Sequence, residues 1–236
     1  MRAPALHWPA LPRPQSVAER LDELALRMAA RPLGALEALL ALNLGLAACF
    51  AVAGRLTGDE ALFFRELAPG TWLSFAQLLL IAATAAAIHR REYAHRRWHQ
   101  SFWGLCTGIF LVFAFDEITQ ASIVVSHVLE DAFGLTATSG FHDLQAVLLT
   151  LGFATAALVL APRALVLRHH PLALCLFAVA ALLGAASQSL DSFASATRLE
   201  FVAEETLKMM AEAFFAGGFL VALRDVLARR AAQPPA

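Results

Sequence analysis

Glu204, Glu205, Lys208 and Glu212 fall together in the run EETLKMMAE, and Lys208 is the only lysine in the 236-residue chain. Glu204, Lys208 and Glu212 are spaced by four, so on a helix they form one stripe with Glu205 beside it. At 1.5 Å per residue, Glu212 lies about 12 Å deeper than Glu204. The residues that follow are apolar. A charge at the middle of a membrane helix costs roughly 2.5 to 3.5 kcal/mol on insertion scales, so an ion pair there marks a functional site by default. A Glu–Lys pair one turn apart returns only roughly 0.2 to 0.5 kcal/mol. The stripe must therefore face protein or water, away from lipid.

Two other apolar runs end in polar groups at similar depth. FDEITQAS carries Asp116, Glu117 and Gln120, with Asp116 and Gln120 on one helical face and Glu117 rotated by about 100°, and SQSLDS carries Ser187, Gln188 and Asp191. The expectation is a cluster of Asp116, Glu117, Gln120, Asp191, Glu204, Glu205, Lys208 and Glu212 where three helices converge. Its surplus of acids over one lysine must be protonated, hydrated or cation-bound; the plainer reading is a salt-bridged network that only fixes helix register. A second set, His127, Glu130, Asp131, His142 and Asp143, brackets a short loop. Imidazoles with carboxylates suit transition metals, so His127, Glu117, Glu204, Glu205 and His142 form a candidate metal set, against the reading of these residues as solvated loop groups or helix caps.

The elements that position these groups follow from composition. The chain is 59% hydrophobic and 16% charged, outside the habit of a soluble domain. Six stretches reach the roughly 20 residues a bilayer crossing needs: 33–53, 71–89, 101–122, 143–161, 171–190 and 205–224. The fold class is all-α, an integral membrane bundle of six transmembrane helices. Before it, Ser16 and Glu19 form a capping box, and Val17, Leu21, Leu24 and Met28 share a face, giving an amphipathic interfacial helix. The organisation is a tail and amphipathic helix at 1–32, one membrane domain at 33–226 and a second tail at 227–236. Arginines crowd the even connections, namely Arg90, Arg91, Arg96, Arg97, Arg163 and Arg168, as well as both tails, whereas the odd connections are acidic or neutral. Basic segments stay inside, so both termini are expected in the cytoplasm of a bacterial inner membrane, with the first span as an uncleaved anchor. Cys49, Cys106 and Cys175 read as buried small apolar residues. Gly104 and Gly108 allow close helix packing. The net charge of −1 gives no reason to expect nucleic acid; the partners are the bilayer and, in one reading, other membrane subunits.

FDEITQAS and VAEETLKMM resemble a group of uncharacterised bacterial multi-pass inner-membrane proteins, in which an Asp-Glu pair late in one span is followed by a His-Glu pair and a Glu-Glu pair opens the last span. The likeness covers residues 100 to 226. This chain has Ser122 and Ile123 where the group has His and Glu, so any metal chemistry the resemblance implies requires His127 to substitute. EETLK also looks like a stretch of CAAX-type intramembrane proteases, but no histidine-bearing helix follows it. Three functions remain: binding or relaying a cation or proton at the acidic cluster; an accessory subunit of a larger membrane complex; or a metal-dependent hydrolase acting on lipid. A divalent metal or bound lipid is the cofactor these readings admit.

Overall fold

A computed structural model of the chain describes residues 17–58, 68–92, 97–133, 144–193 and 198–232, which form helices and short connections with no strand among them. The helices are α1 (Val17–Ala29), α2 (Pro32–Thr57), α3 (Pro69–Glu92), α4 (Arg97–Thr119), α5 (Ala121–Phe133), α6 (Leu144–Leu160), α7 (Pro171–Phe193) and α8 (Arg198–Ala231). Prolines sit at the first turn of α2, α3 and α7, where a missing amide hydrogen is harmless. Gly58 ends α2 in the left-handed conformation, φ 77°. Pro162 ends α6, since it cannot donate the next helical bond, and the chain continues as a 3-10 segment, Ala161–His169.

Among the described residues, five stretches are long and apolar enough to cross a membrane: Pro32–Thr57, Pro69–Glu92, Ser101–Thr119, Pro171–Leu190 and Phe201–Ala231. The chain is accordingly a membrane protein whose outward surface is apolar, with Leu182 and Leu158 more than two-thirds exposed. The expected fourth span, 143–161, differs, because α6 is only 17 residues, about 26 Å, before Pro162 intervenes. The expected third span is also shorter. It stops at Thr119, and Gln120 adopts a left-handed φ of 53° before α5 begins.

At the centre runs α8, 34 residues without interruption. It packs most extensively on α7, α3 and α2, while α5 and α6 lie to one side. Its residues Ala213, Ala216, Phe219, Leu220, Val221 and Leu223 are almost wholly buried. Rings from three helices meet there: Phe219 is 5.8 Å from Trp103, 5.5 Å from Phe110 and 4.9 Å from Phe177. Gly217 faces Leu36 of α2, and Gly218 faces the Phe177 ring of α7. Cys106 is buried as expected, but Cys49 and Cys175 are exposed on the outer surface, where a thiol passes as an apolar group.

The first helix turns a different face inward from the one its pattern suggests. Ala25 and Ala29 are buried, whereas Val17 and Leu24 stay exposed. Asp22 explains the rotation: it meets Arg90 at 2.8 Å and Arg91 at 3.3 Å, and the alanines below it permit close approach to α3 and α8. Partial burial pushes the Asp22 carboxyl up, but the two guanidiniums outweigh this and hold it below the usual carboxylate range.

The basic end of the bundle is closed by a second network. Arg229 donates to Glu92 at 3.3 Å and to His170 Nε2 at 2.8 Å, Trp103 Nε1 donates to Glu92 at 3.0 Å, and His170 Nδ1 lies 3.2 Å from Asp225. With Arg229 donating to Nε2, the ring must carry its proton on Nδ1 and be neutral. Burial is the chief cause that holds the pKa of His170 below the ordinary value; Asp225 opposes it and Arg229 adds to it.

Unfolding at mildly acidic pH should therefore be helped by His170. Its contribution is complete above about 6.5, the ordinary histidine value, and is lost as pH falls through the lower folded value. Melting in detergent between pH 7.5 and 5 (roughly one unit either side of that ordinary value) should show a slope that His170→Gln flattens; an unchanged slope would refute the assignment. The close approach at Gly218 gives another test. Gly218→Ala drives a methyl into the Phe177 ring and should destabilise by about 1 to 3 kcal/mol, whereas Gly45→Ala meets nothing within 4 Å and should be neutral or mildly stabilising.

Candidate functional site

The polar stripe of α8 faces the bundle interior at the end opposite the His170 network. Lys208 Nζ is held by both carboxylate oxygens of Glu117 on α4, at 3.0 Å and 2.9 Å, and lies 3.6 Å from Glu205, one turn back on its own helix. This is a forked ion pair between helices. Burial increases inward: the side chain of Lys208 is 33% exposed and those of Glu117 and Glu205 are 14% and 17%, while Glu212, one turn deeper, is 6% exposed.

Glu212 has an asymmetric environment. Ser74 Oγ of α3 donates to its Oε1 at 2.6 Å. Its Oε2 is buried and has no hydrogen-bond partner among the described residues. Beside it, Asn43 of α2 and Gln77 of α3 exchange two amide hydrogen bonds, at 3.3 Å and 3.1 Å, and Asn43 Nδ2 also donates to the carbonyl of Met209 at 2.8 Å. Each amide is thereby partnered in a core where an unpaired one is destabilising. Ser187 of α7 donates to the backbone carbonyl of Glu204 at 3.1 Å.

The structure brings Glu117 of the third expected run to Lys208 and Glu205 of the sixth, with Glu212 one turn deeper, and the fifth run meets the sixth through Ser187 at the Glu204 carbonyl. Asp116 and Gln120 do other work. The Asp116 carboxylate accepts from the Ser122 amide at 2.7 Å and from Ser122 Oγ at 2.9 Å, capping the first turn of α5, and its backbone carbonyl accepts from the Gln120 amide. The helix break at Gln120 removes the shared face on which those two residues were expected to stand. The side chain of Asp191 lies outside the described residues, as do His142 and Asp143.

Of the candidate metal set, His142 lies outside the described residues. No group of three or more His, Cys, Asp or Glu side chains disposed to hold a metal ion occurs among the described residues, and His127 is exposed on α5. Asn43, Ser74 and Gln77 were missed in the sequence, although each is a hydrogen-bonding residue in an otherwise apolar span and so a sign of a buried partner. The pairing of His170 with Asp225 was missed because 55 residues separate them. Comparison with protein-family models, with curated proteins and with solved structures found no match.

Removing the amine should isolate the worth of the ion pair. Lys208→Met leaves Glu117 and Glu205 facing each other and should destabilise by about 2 to 4 kcal/mol, with much of that recovered in the double variant Lys208→Met, Glu117→Gln. Additive losses in a double-mutant cycle of detergent unfolding would show that the two side chains are energetically independent.

Proposed function

We propose that the protein binds and releases a proton at Glu212 inside the membrane, reached from the acid-rich end of the bundle. One observation carries this reading: a buried carboxyl with one oxygen bonded and the other bare. An ionised carboxylate in that position leaves a charged oxygen uncompensated in apolar surroundings, at a cost of several kcal/mol. A proton on Oε2 removes the charge. Lys208, one turn away, supplies the alternative compensation when that proton leaves, because its flexible stem can turn from Glu117 and Glu205 toward Glu212. Protonation of Glu117 from the aqueous side would release the amine for that move, so the three acids and the lysine together form a short relay.

The relay is a one-sided one. Asp225 lies thirteen residues beyond Glu212 on α8, about 20 Å along the axis, and the buried residues between them on α8 are apolar. The only hydroxyl that α3 buries alongside that stretch, Thr84, donates to its own helix at Leu80. Such a path favours binding and conformational coupling over conduction. In this reading α6 and its 3-10 continuation make a sixth crossing, α1 lies at the interface with Val17 and Leu24 toward lipid, and the arginine-rich end faces the cytoplasm of a bacterial inner membrane.

Infrared difference spectra of the reconstituted protein, taken as the outer pH is stepped, test this directly. A protonated-carboxyl band equivalent to one group per chain is expected, and it should vanish in Glu212→Gln while a Glu130→Gln control retains it. Persistence of the band in Glu212→Gln, or its absence from the unsubstituted protein, would defeat the proposal. So would a steady proton current across vesicles.

A further inference from the structure

Between α4 and α6 the outer surface opens into a groove of about 460 Å³, lined by Gly104, Gly108, Val112, Phe113, Gly152 and Val159 among others. This volume lies within the range of small-molecule sites, roughly 300 to 1,000 Å³. The lining is almost wholly apolar. Its one hydroxyl, Thr155, donates to the Leu151 carbonyl at 2.7 Å, so the groove offers no polar group to a ligand along its length. Glycines create the space: a side chain at Gly108 or at Gly152 would meet nothing within 4 Å, whereas at Gly104 the His89 ring already occupies the place of a side chain.

One end of the groove is charged. Arg163, one turn beyond the lining residue Val159, donates from Nη1 to the Val159 carbonyl at 2.8 Å. Its Nε is buried and has no hydrogen-bond partner among the described residues. A guanidinium carries a planar fork of donors that matches phosphate oxygens, and the carbonyl of the lining residue Val159 engages only one of those donors. That end is also where Arg90, Arg91, Arg224 and Arg229 lie, next to the level at which a bilayer places its phosphates.

We infer that this groove is a binding site for one anionic phospholipid, with an acyl chain along Gly108 and Gly152 and the headgroup phosphate on Arg163. An acyl chain needs no hydrogen bonds and fills a channel without polar walls. A phosphate supplies acceptors for the guanidinium donors that the Val159 carbonyl does not engage. None of the groove's lining residues belongs to the Lys208 cluster, and the site does not depend on proton binding there.

Native mass spectrometry of the protein in mild detergent, offered equal amounts of phosphatidylglycerol and phosphatidylcholine, tests the site. The unsubstituted protein should retain phosphatidylglycerol in preference. Gly108→Leu with Gly152→Leu fills the groove and should lose retention of both lipids, while Arg163→Gln should keep an acyl chain but reduce the headgroup preference about fivefold. Equal binding of the two lipids by the unsubstituted protein, an unchanged preference in Arg163→Gln, or undiminished retention in the glycine variant would each overturn the inference. Should the glycine variant fail to fold, the Arg163→Gln comparison decides alone, since that side chain lies at the rim.

Discussion

A lysine in hydrocarbon is tolerated only where its charge is met, and the forked contact between Lys208 and Glu117 is the constraint to which much of this bundle answers. It ties α8 to α4 across 91 positions of sequence and sets the rotation of α8 about its own axis. Once that rotation is set, Glu212 must point toward α3, and Met209 must present its carbonyl to Asn43. The amide exchange between α2 and α3 then follows from the need to partner what α8 brings in. Hydrophobic packing alone would leave the rotation of an alanine- and phenylalanine-rich helix poorly specified, because lipid is as apolar as the core.

Much of this was legible in the sequence because burying charge is expensive. The all-helical class, the apolar runs and the meeting of Lys208 with Glu117 and Glu205 all follow from that single cost. What the sequence left unread falls into two kinds. Asn43, Ser74 and Gln77 carry no charge, so their signal is smaller, and nothing local says which of several spans they meet. Gln120 is a backbone event. Its left-handed conformation is unfavourable by roughly 1 to 2 kcal/mol and is offset by Asp116 capping the next helix, a bargain that no hydrophobic period records. The rotation of α1 belongs with the second kind, since the pattern of Val17, Leu21, Leu24 and Met28 was outvoted by two arginines from α3 and the small size of Ala25 and Ala29.

The two polar networks sit at opposite ends of α8 and differ in character. At the basic end, Glu92, His170, Asp225 and Arg229 are joined in one hydrogen-bonded set. Such a set rigidifies what it joins. The acid-rich end keeps one carboxyl oxygen unmatched, at Glu212. Incomplete satisfaction of this kind raises the energy of the resting arrangement and leaves room for a second one.

Gly217 and Gly218 stand between these ends, against Leu36 on one side and Phe177 on the other. The two neighbours come closer to the backbone there than a side chain would allow, as supports do on either side of a beam. The lever arms are short, about 8 Å up to Glu212 and about 10 Å down to Asp225. Any tilt of α8 about that point would move Glu212 and Asp225 in opposite senses, and Asp225, beneath His170, by slightly more.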